Sequence, residues 1–254
     1  MKDMSRETLS VRGLTVALGT RTVIRDLDLE LRRGDAIAVV GPSGAGKSAL
    51  LRALVGLEPG ISGSLRFGGR ELVGAPTEAW RPLRRRVQLC WQDPLAALHP
   101  QLPVAALIDE ARLLTGLPRW HAEAPELHAL LRRVALDPAL ARRSPGSLSG
   151  GQRQRVALAR ALAAEPAILL ADEITSALDR PVAWALIDLL RELRGDGLGL
   201  LMVTHDLSLL PGTVDQVLVL AAGEVVERSP VRELIAAPQH PVSRALRAAV
   251  PRLP

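Results

Sequence analysis

The chain of 254 residues is 48% hydrophobic and 23% charged, with a formal net charge of +5, and it is long enough for one large domain with a buried core. Its apolar runs are far shorter than the roughly 20 residues of a membrane-spanning helix, and its first residues lack the apolar stretch of a signal peptide, so we expect a soluble, cytoplasmic protein. The single cysteine, Cys90, excludes an intrachain disulfide and an all-cysteine metal site.

The positive charge raises the question of a nucleic acid or an anionic membrane surface as a partner. The arginines are scattered, however, and the densest cluster, Arg84, Arg85 and Arg86, has no periodic set of aromatic residues around it that could stack bases. We therefore expect an arginine-rich surface and no nucleic-acid partner. Among the 32 basic residues only Lys2 and Lys47 are lysines.

Strands and helices alternate in the first part of the chain. Residues 11–18 and 22–31 predict strands, the second because it alternates apolar and charged residues. The all-apolar run 36–40 predicts a short strand in a sheet that is covered on both faces. A glycine-rich turn and a helix over about 47–56 follow, and further strands are predicted over 64–67 and 87–91.

The stretch 93–164 has a different composition. It is rich in Leu, Ala, Arg and Glu at helical spacing with proline breaks, which predicts a helical subdomain inserted into an α/β core. Alternation then resumes, with strands over 167–171, 198–203 and 214–220, a helix over 181–193 and a helical tail broken at Pro238 and Pro241. Such alternation predicts a mostly parallel sheet. The expected divisions are a core over about 1–92 and 165–228, the helical subdomain over 93–164 and a short C-terminal tail over 229–254.

One segment fits the phosphate-loop pattern G-x-x-x-x-G-K-[ST]. Its residues are Gly41, Pro42, Ser43, Gly44, Ala45, Gly46, Lys47 and Ser48, with Ala49 next in the following helix. Glycines let backbone N–H groups approach phosphate oxygens, and the positive end of the helix faces the same charge. We expect Lys47 to reach the β- and γ-phosphates of ATP and Ser48 to ligate Mg²⁺. A lysine here, in a chain that otherwise uses arginine, argues against a chance glycine-rich turn, because the wide guanidinium fork would not fit.

Polar residues follow three other predicted strands. Asp172 could hold Mg²⁺, and the adjacent Glu173 could orient or deprotonate an attacking water. His205 could contact the γ-phosphate, and Gln92 could bind Mg²⁺ or position water. Each is weak evidence alone, since polar residues commonly end strands. Combined with the loop, they give Lys47, Gln92, Glu173 and His205 as catalytic candidates and Ser48, Gln92 and Asp172 as metal ligands.

A further segment, 148–162, reads LSGGQRQRVALARAL and resembles the signature sequence of ATP-binding-cassette (ABC) ATPases. Its first residues, Ser149, Gly150, Gly151 and Gln152, would form an exposed helix N-terminus and therefore a second anion site. The resemblance covers essentially the whole chain, because the motifs occur in the family's order. They are the phosphate loop, Gln92, the signature, Asp172 with Glu173, the stretch 176–179 and His205.

The resemblance implies an α/β fold with a P-loop NTPase core of mostly parallel strands, an N-terminal antiparallel β subdomain and an inserted helical subdomain. It implies ATP and Mg²⁺ as cofactors and a homo- or heterodimer in which residues 149–152 of one ATPase complete the ATP site of the other. It also implies roles: Glu173 as catalytic base, His205 as γ-phosphate switch and Gln92 as the coupling residue facing a transmembrane partner.

Two stretches, 91–100 and 238–251, are similar to the corresponding parts of peptide and nickel importer ATPases. They imply an ATPase on the cytoplasmic face of the cell membrane that works with two permease subunits and, indirectly, a substrate-binding protein. The cargo would be a peptide, nickel or a metal chelate. A soluble ABC ATPase of DNA repair or translation is disfavoured by the lack of a long coiled coil and of a second cassette, and an ABC exporter by the stretch 91–100.

The chain departs from the family pattern at three positions. Leu18 stands where the family usually stacks adenine on an aromatic residue, Ile174 where it usually has proline, and Val242 where the importer branch usually has tyrosine. Adenine stacking is therefore expected to be weaker or to come from a neighbouring residue.

Overall fold

The computed structural model of the protein describes residues 7–250, so the outermost parts of the predicted core and tail lie outside the described residues. The strands are β1 (Leu9–Leu18), β2 (Arg21–Leu31), β3 (Ala36–Val40), β4 (Ile61–Phe67), β5 (Arg70–Glu71), β6 (Val87–Cys90), β7 (Ile168–Asp172), β8 (Gly199–Val203), β9 (Gln216–Ala221) and β10 (Glu224–Pro230). The helices are α1 (Lys47–Leu54), α2 (Arg81–Arg86), α3 (Val104–Thr115), α4 (Pro125–Arg133), α5 (Gly150–Ala163), α6 (Arg180–Gly195), α7 (Val231–Ala236) and α8 (Pro241–Ala248).

The larger sheet has the strand order β10-β9-β3-β8-β7-β6. Its strands pair in parallel from β9 through β6, and β10 pairs antiparallel with β9. Apolar layers cover both faces. In β3, for example, Ala38 packs into the cluster that contains the helices of the inserted subdomain, whereas Val39 packs into the cluster that contains α1. The prediction of a mostly parallel sheet that is covered on both faces is confirmed.

The smaller sheet is antiparallel, with the order β2-β1-β4-β5. Alternate residues of β1, such as Leu9 and Val11, are fully buried against the apolar side of α1, where Leu50 and Leu54 lie. Burying one face of a sheet against an amphipathic helix is what stabilises such a small sheet. The predicted N-terminal antiparallel subdomain is therefore present.

Helices α3, α4 and α5 follow β6 and precede β7 in the chain, and α3 and α4 both pack against α5. Arg112 of α3 is buried, donates to the Ala163 carbonyl oxygen at 3.0 Å and lies 3.7 Å from the ring centre of Trp120. This guanidinium connects the end of α3 to the end of α5. No described helix is long and apolar enough to cross a membrane.

The strand β10 was missed from the sequence. Its residues include Glu224, Glu227 and Arg228, and most of its positions are exposed or half-buried because it lies at the edge of the sheet. An edge strand needs few apolar residues, so it has no clear periodicity. The two-residue strand β5 was missed as well, because it is too short to show a pattern.

Several arginines donate to backbone carbonyls at turns. Arg33 Nε donates to the Gly197 carbonyl at 3.2 Å, and Arg194 Nε donates to the Gly34 carbonyl at 3.1 Å. These two bonds connect the β2–β3 turn to the α6–β8 turn in both directions. Arg84 similarly donates to the Gly56 carbonyl at 2.9 Å, after the end of α1. The guanidinium group suits this role because its five donors project in fixed directions.

The carboxylate of Glu71 stabilises the end of the small sheet. It accepts backbone N–H bonds from Leu65 (2.9 Å), Leu72 (3.1 Å) and Val73 (3.2 Å) and a hydroxyl bond from Ser64. Partial burial raises the pKa of Glu71, but the hydrogen bonds from Ser64, Leu65 and Val73 outweigh it and lower this pKa to about 2.

We expect Glu71→Gln to lower the melting temperature at pH 7 by about 2–4 °C. Hydrogen bonds to a charged group are worth roughly 1.5–3 kcal/mol, and solvent reduces this to about 1 kcal/mol because the Glu71 side chain is 38% exposed. A lowered folded-state pKa stabilises the fold above the unfolded value of 4.5, and this contribution is lost as the pH falls toward 2. Calorimetry should therefore show a difference between parent and variant that shrinks over that range. Glu224→Gln is the exposed control, and a difference that is constant with pH contradicts the assignment.

Candidate functional site

The candidate residues follow neighbouring parallel strands. The loop 41–48 follows β3, Asp172 and Glu173 lie at the end of β7, His205 lies just beyond β8, and Gln92 just beyond β6. Parallel strands have their carboxyl ends at the same edge of a sheet, which is where open α/β sheets bind ligands. The parallel pairing is therefore what places these residues at one edge.

The loop requires glycine at its two ends. A Cβ atom on Gly41 would lie 2.1 Å from the Leu220 carbonyl oxygen of β9, and one on Gly46 would lie 2.5 Å from the Val23 carbonyl oxygen of β2. Both distances are shorter than any real Cβ contact, and Gly46 also has a φ of +106°. The loop is therefore held against the backbone of two strands.

The side chain of Lys47 lies inside the loop. It is 8% exposed, and its Nζ donates to the carbonyls of Gly41 (2.8 Å) and Pro42 (3.0 Å). An ammonium has three donors, so one remains for a ligand oxygen. Helix α1 has no side-chain cap at Gly46, and the first N–H groups of any helix, here including those of Ser48 and Ala49, have no partner within the helix. Such an N-terminus attracts an anion.

Asp172 is 4% exposed, and its Oδ1 atom has no hydrogen-bond partner among the described residues. Burial raises the pKa of this carboxyl, the Ser48 hydroxyl opposes that shift, and the negative charge of Glu173 adds to it. A buried carboxylate oxygen of this kind favours a cation beside it. The oxygen atoms of Asp172 and Ser48 are hard ligands of the type that Mg²⁺ prefers, so the residues present fit that ion.

Glu173 has a left-handed backbone, with a φ of +46°. Its N–H donates to the Val203 carbonyl at 3.0 Å, and its own carbonyl accepts from the Ser176 hydroxyl at 2.8 Å. A non-glycine residue rarely adopts this conformation, which costs of order 1 kcal/mol or more. The surrounding hydrogen bonds hold it there and set the direction of the carboxylate.

Three of the predicted residues meet at that carboxylate. Gln92 Nε2 donates to Glu173 Oε2 at 3.1 Å, and His205 Nδ1 lies 3.5 Å from the same oxygen. The Glu173 side chain is 17% exposed and that of His205 is 64% exposed. The carboxylate is therefore partly shielded, whereas the imidazole stays accessible to a ligand at the edge of the sheet.

The signature residues lie at the start of α5. Ser149 Oγ accepts from the Gln152 N–H at 3.2 Å, and Gln152 Oε1 accepts from the Ser149 N–H at 2.9 Å, which forms a capping box. Helix α5 packs mainly on α3, α4 and β6, whereas α1 packs on β1, β2 and β7. The N-termini of α1 and α5 thus belong to different packing layers.

Two observations went beyond the sequence analysis. Gln154, in the signature helix, is 1% exposed and donates its Nε2 to the Trp91 carbonyl at 3.1 Å. The only sequence signal was its position in the signature, which did not distinguish it from its polar neighbours. Leu18 ends β1, is 41% exposed and pairs in register with Arg21.

Comparisons with known proteins agree with this geometry. A family model described as ABC transporter matches residues 24–176. The chain is 42% identical over 239 residues to a protein of Brucella abortus (strain 2308) provisionally named as a peptide import ATP-binding protein, covering 92% of this chain and 72% of that protein. It is 37% identical to the oligopeptide transport ATP-binding protein OppF of Escherichia coli (strain K12), covering 91% of this chain and 70% of OppF. Among solved structures, the dimeric ATP-binding cassette MJ0796, bound to ADP and Pi after hydrolysis, matches with a TM-score of 0.79 and 27% identity over 88% of this chain and 99% of that one.

Proposed function

The chain belongs to the ABC transporter family as an ATP-binding and ATP-hydrolysing member, and we propose that it energises an importer. The names of its relatives support a peptide as the cargo. Residues 91–100 are also similar to nickel importer ATPases, so nickel or a metal chelate is the alternative cargo within the same branch. The relatives carry the importer assignment, and the observation that carries ATP hydrolysis is that Gln92 and His205 both lie beside the Glu173 carboxylate.

The phosphate end of ATP is assigned to the loop 41–48 and the start of α1. Backbone N–H groups of the loop and of Ala49 would donate to phosphate oxygens, and Lys47 would place its ammonium between the β- and γ-phosphates. The buried position of Lys47 supports this role, because its two bonds to loop carbonyls fix the ammonium at the centre of the loop. Leu18 would offer adenine only an aliphatic contact.

Hydrolysis needs a water molecule held in line with the γ-phosphate. We assign Glu173 as the base that orients this water and accepts its proton. Gln92 fixes one oxygen of that carboxylate through its amide, and His205 is close enough to report on the γ-phosphate through the same oxygen. The left-handed backbone of Glu173 supports the assignment, because strained residues cluster at functional sites.

Ser48, Gln92 and Asp172 are the residues proposed to hold Mg²⁺. Among residues 7–250, no group donates to the buried Oδ1 of Asp172, which supports this choice, as does the Ser48 hydroxyl, which is near enough to lower the pKa of that carboxyl. Held by these residues, the ion would supply positive charge beside the phosphates.

The ATP site is proposed to be complete only in a dimer with a second ATPase, identical or different. The capped start of α5, with Ser149, Gly150, Gly151 and Gln152, would complete the partner's site from the opposite side of the nucleotide. This arrangement is supported by the packing of α1 and α5 on different elements and by the dimeric state of the similar cassette MJ0796.

The transmembrane partners are proposed to be two permease subunits on the cytoplasmic face of the cell membrane, with a substrate-binding protein acting through them. A groove of about 530 Å³ between α2 and α3 suits such a contact. Leu113 and Leu114 line it and are 56% and 66% exposed, and the exposed Arg81 and Arg85 form the other wall. Apolar and cationic walls together fit a permease segment that carries both apolar and acidic residues.

We expect Lys47→Ala to weaken ATP binding about 100-fold, because a charge-assisted bond worth roughly 3 kcal/mol is lost. Lys47→Arg should also bind weakly, since the planar fork does not fit the loop. Arg12→Ala, which removes an exposed cation from the small sheet, is the control for charge. Titration calorimetry measures all three, and an unchanged affinity in Lys47→Ala would refute the assignment of the loop.

We expect Glu173→Gln to lower turnover by about 10²–10⁴-fold and to trap an ATP-bound dimer, because the amide binds water but cannot take its proton. Phosphate release and size-exclusion chromatography in ATP are the measurements. Glu165→Gln is the matched control, since Glu165 is also an acid with a left-handed backbone, at φ +50°. Full turnover by Glu173→Gln is incompatible with its role as base.

We expect the tagged chain to co-purify from membranes with multi-span permease subunits, identified by mass spectrometry. The double variant Arg81→Glu/Arg85→Glu should reduce the recovered permease about 10-fold or more, because like charges then face each other. Arg232→Glu/Arg247→Glu makes the same charge change at exposed positions of α7 and α8 and should leave recovery unchanged. Equal recovery with both pairs would show that the groove is not the contact.

A further inference from the structure

We propose that Gln154 is a positioning residue that couples the start of α5 to the Gln92–Glu173 pair in the same chain. The inference rests on the proposed function, in which the start of α5 contacts the nucleotide of the partner ATPase. Under this proposal each ATP site senses the other through one buried side chain, and hydrolysis at the two sites becomes interdependent.

The position of Gln154 places it between the two sites. It lies five residues after Ser149, about 7 Å along the helix axis from the signature end. Its side chain is 1% exposed and crosses to the carbonyl oxygen of Trp91, which its Nε2 reaches at 3.1 Å. The bond therefore connects the interior of α5 to the backbone just after β6.

The bonded carbonyl belongs to the peptide unit that joins Trp91 to Gln92. A peptide unit is planar, so holding its carbonyl oxygen also fixes the direction of the N–H of Gln92. That direction, with φ of Gln92, determines where its side chain points. At the other end Gln92 Nε2 holds Glu173 Oε2 at 3.1 Å. A movement of α5 is thus passed to the proposed base through two hydrogen bonds and one rigid plane.

The segment after Gln92 has little freedom to absorb such a movement. The Asp93 side chain accepts from the Leu95 N–H at 2.9 Å and caps a short turn over Pro94–Ala96. This turn packs against α5. The backbone on both sides of Gln92 is therefore attached to the signature helix, and it should follow that helix as a unit.

The two ends of the Gln154 amide have different surroundings. Its Oε1 atom is buried and has no hydrogen-bond partner in the part of the chain that the structure describes. An unpaired buried acceptor destabilises a fold, so what this amide supplies that an apolar side chain cannot is the bond to the Trp91 carbonyl. The orientation of the amide is set by the Trp91 carbonyl, which can face only a donor. A role of this bond in coupling α5 to Gln92 explains why the position holds an amide.

Gln88 provides a matched control in β6, the strand that precedes Gln92. It is half-buried in β6, and its Nε2 also donates to a backbone carbonyl, that of Arg84 at 2.6 Å. This bond stays within α2 and β6 and does not involve the peptide before Gln92. The variants Gln154→Leu and Gln88→Leu therefore both remove an amide hydrogen bond to a backbone carbonyl. Only Gln154→Leu removes one that belongs to the proposed connection.

The experiment compares these two variants and the parent as full chains under ATP. For Gln154→Leu we expect a melting temperature within about 3 °C of the parent and an unchanged dissociation constant for ATP. We expect kcat to fall about 10-fold, and the Hill coefficient for ATP to fall from near 2, the number of sites in the dimer, to about 1. Hydrogen exchange should accelerate in residues 91–96 but not in 41–48. Gln88→Leu should match the parent in each measurement.

The outcomes separate this inference from the function it rests on. A parent that does not hydrolyse ATP would contradict the proposed function, and the exchange experiment on residues 91–96, which needs no turnover, would still test the connection. Unchanged exchange at 91–96 in Gln154→Leu, or parental kcat and Hill coefficient with a preserved melting temperature, overturns the inference. Loss of ATP affinity together with a large fall in melting temperature also overturns it, because Gln154 would then only stabilise the fold.

Discussion

The parallel pairing of β6, β7, β8 and β3 is the constraint on which the rest of the structure depends. Because these strands run in the same direction, residues far apart in the chain meet where the strands end. Their backbones are buried on both faces, so the edge is rigid and can hold a strained residue such as Glu173. The candidate side chains Gln92, Glu173 and His205 all lie within two residues of the end of an apolar strand.

The sequence predicted the features that come from local pattern and motif. The strand over 36–40 and the helix that begins at Lys47 were correct because an apolar run, a glycine turn and a helix follow each other there. The edge strand β10 was missed, since an exposed edge leaves no periodicity. The contacts of Gly41 with Leu220 and of Gln154 with Trp91 could not be predicted, because both join residues separated by at least 60 positions. The role of each site residue stays a prediction.

The charges of the site are arranged unequally. Asp172 is buried with one oxygen that has no partner in the described part of the chain, Glu173 is partly shielded, and His205 is largely exposed. The acidic groups therefore lie beneath the surface, and burial, which raises the pKa of Asp172, disfavours its charged form unless a cation lies beside it. The edge of the sheet therefore changes from a buried acid to an exposed imidazole, and the proposed metal ligand lies deeper than the proposed γ-phosphate contact.

The paired arginines that reach across the β2–β3 and α6–β8 turns have a consequence for the behaviour of the protein in different solvents. Arg33 and Arg194 each donate to an uncharged carbonyl, so counterions weaken these bonds far less than they weaken bonds between opposite charges. Each guanidinium also forms an ion pair, Arg33 with Glu7 and Arg194 with Asp215, and added salt screens that part of its contacts. The two turns should therefore stay joined in high salt, because the bonds to the Gly197 and Gly34 carbonyls persist where the ion pairs are weakened.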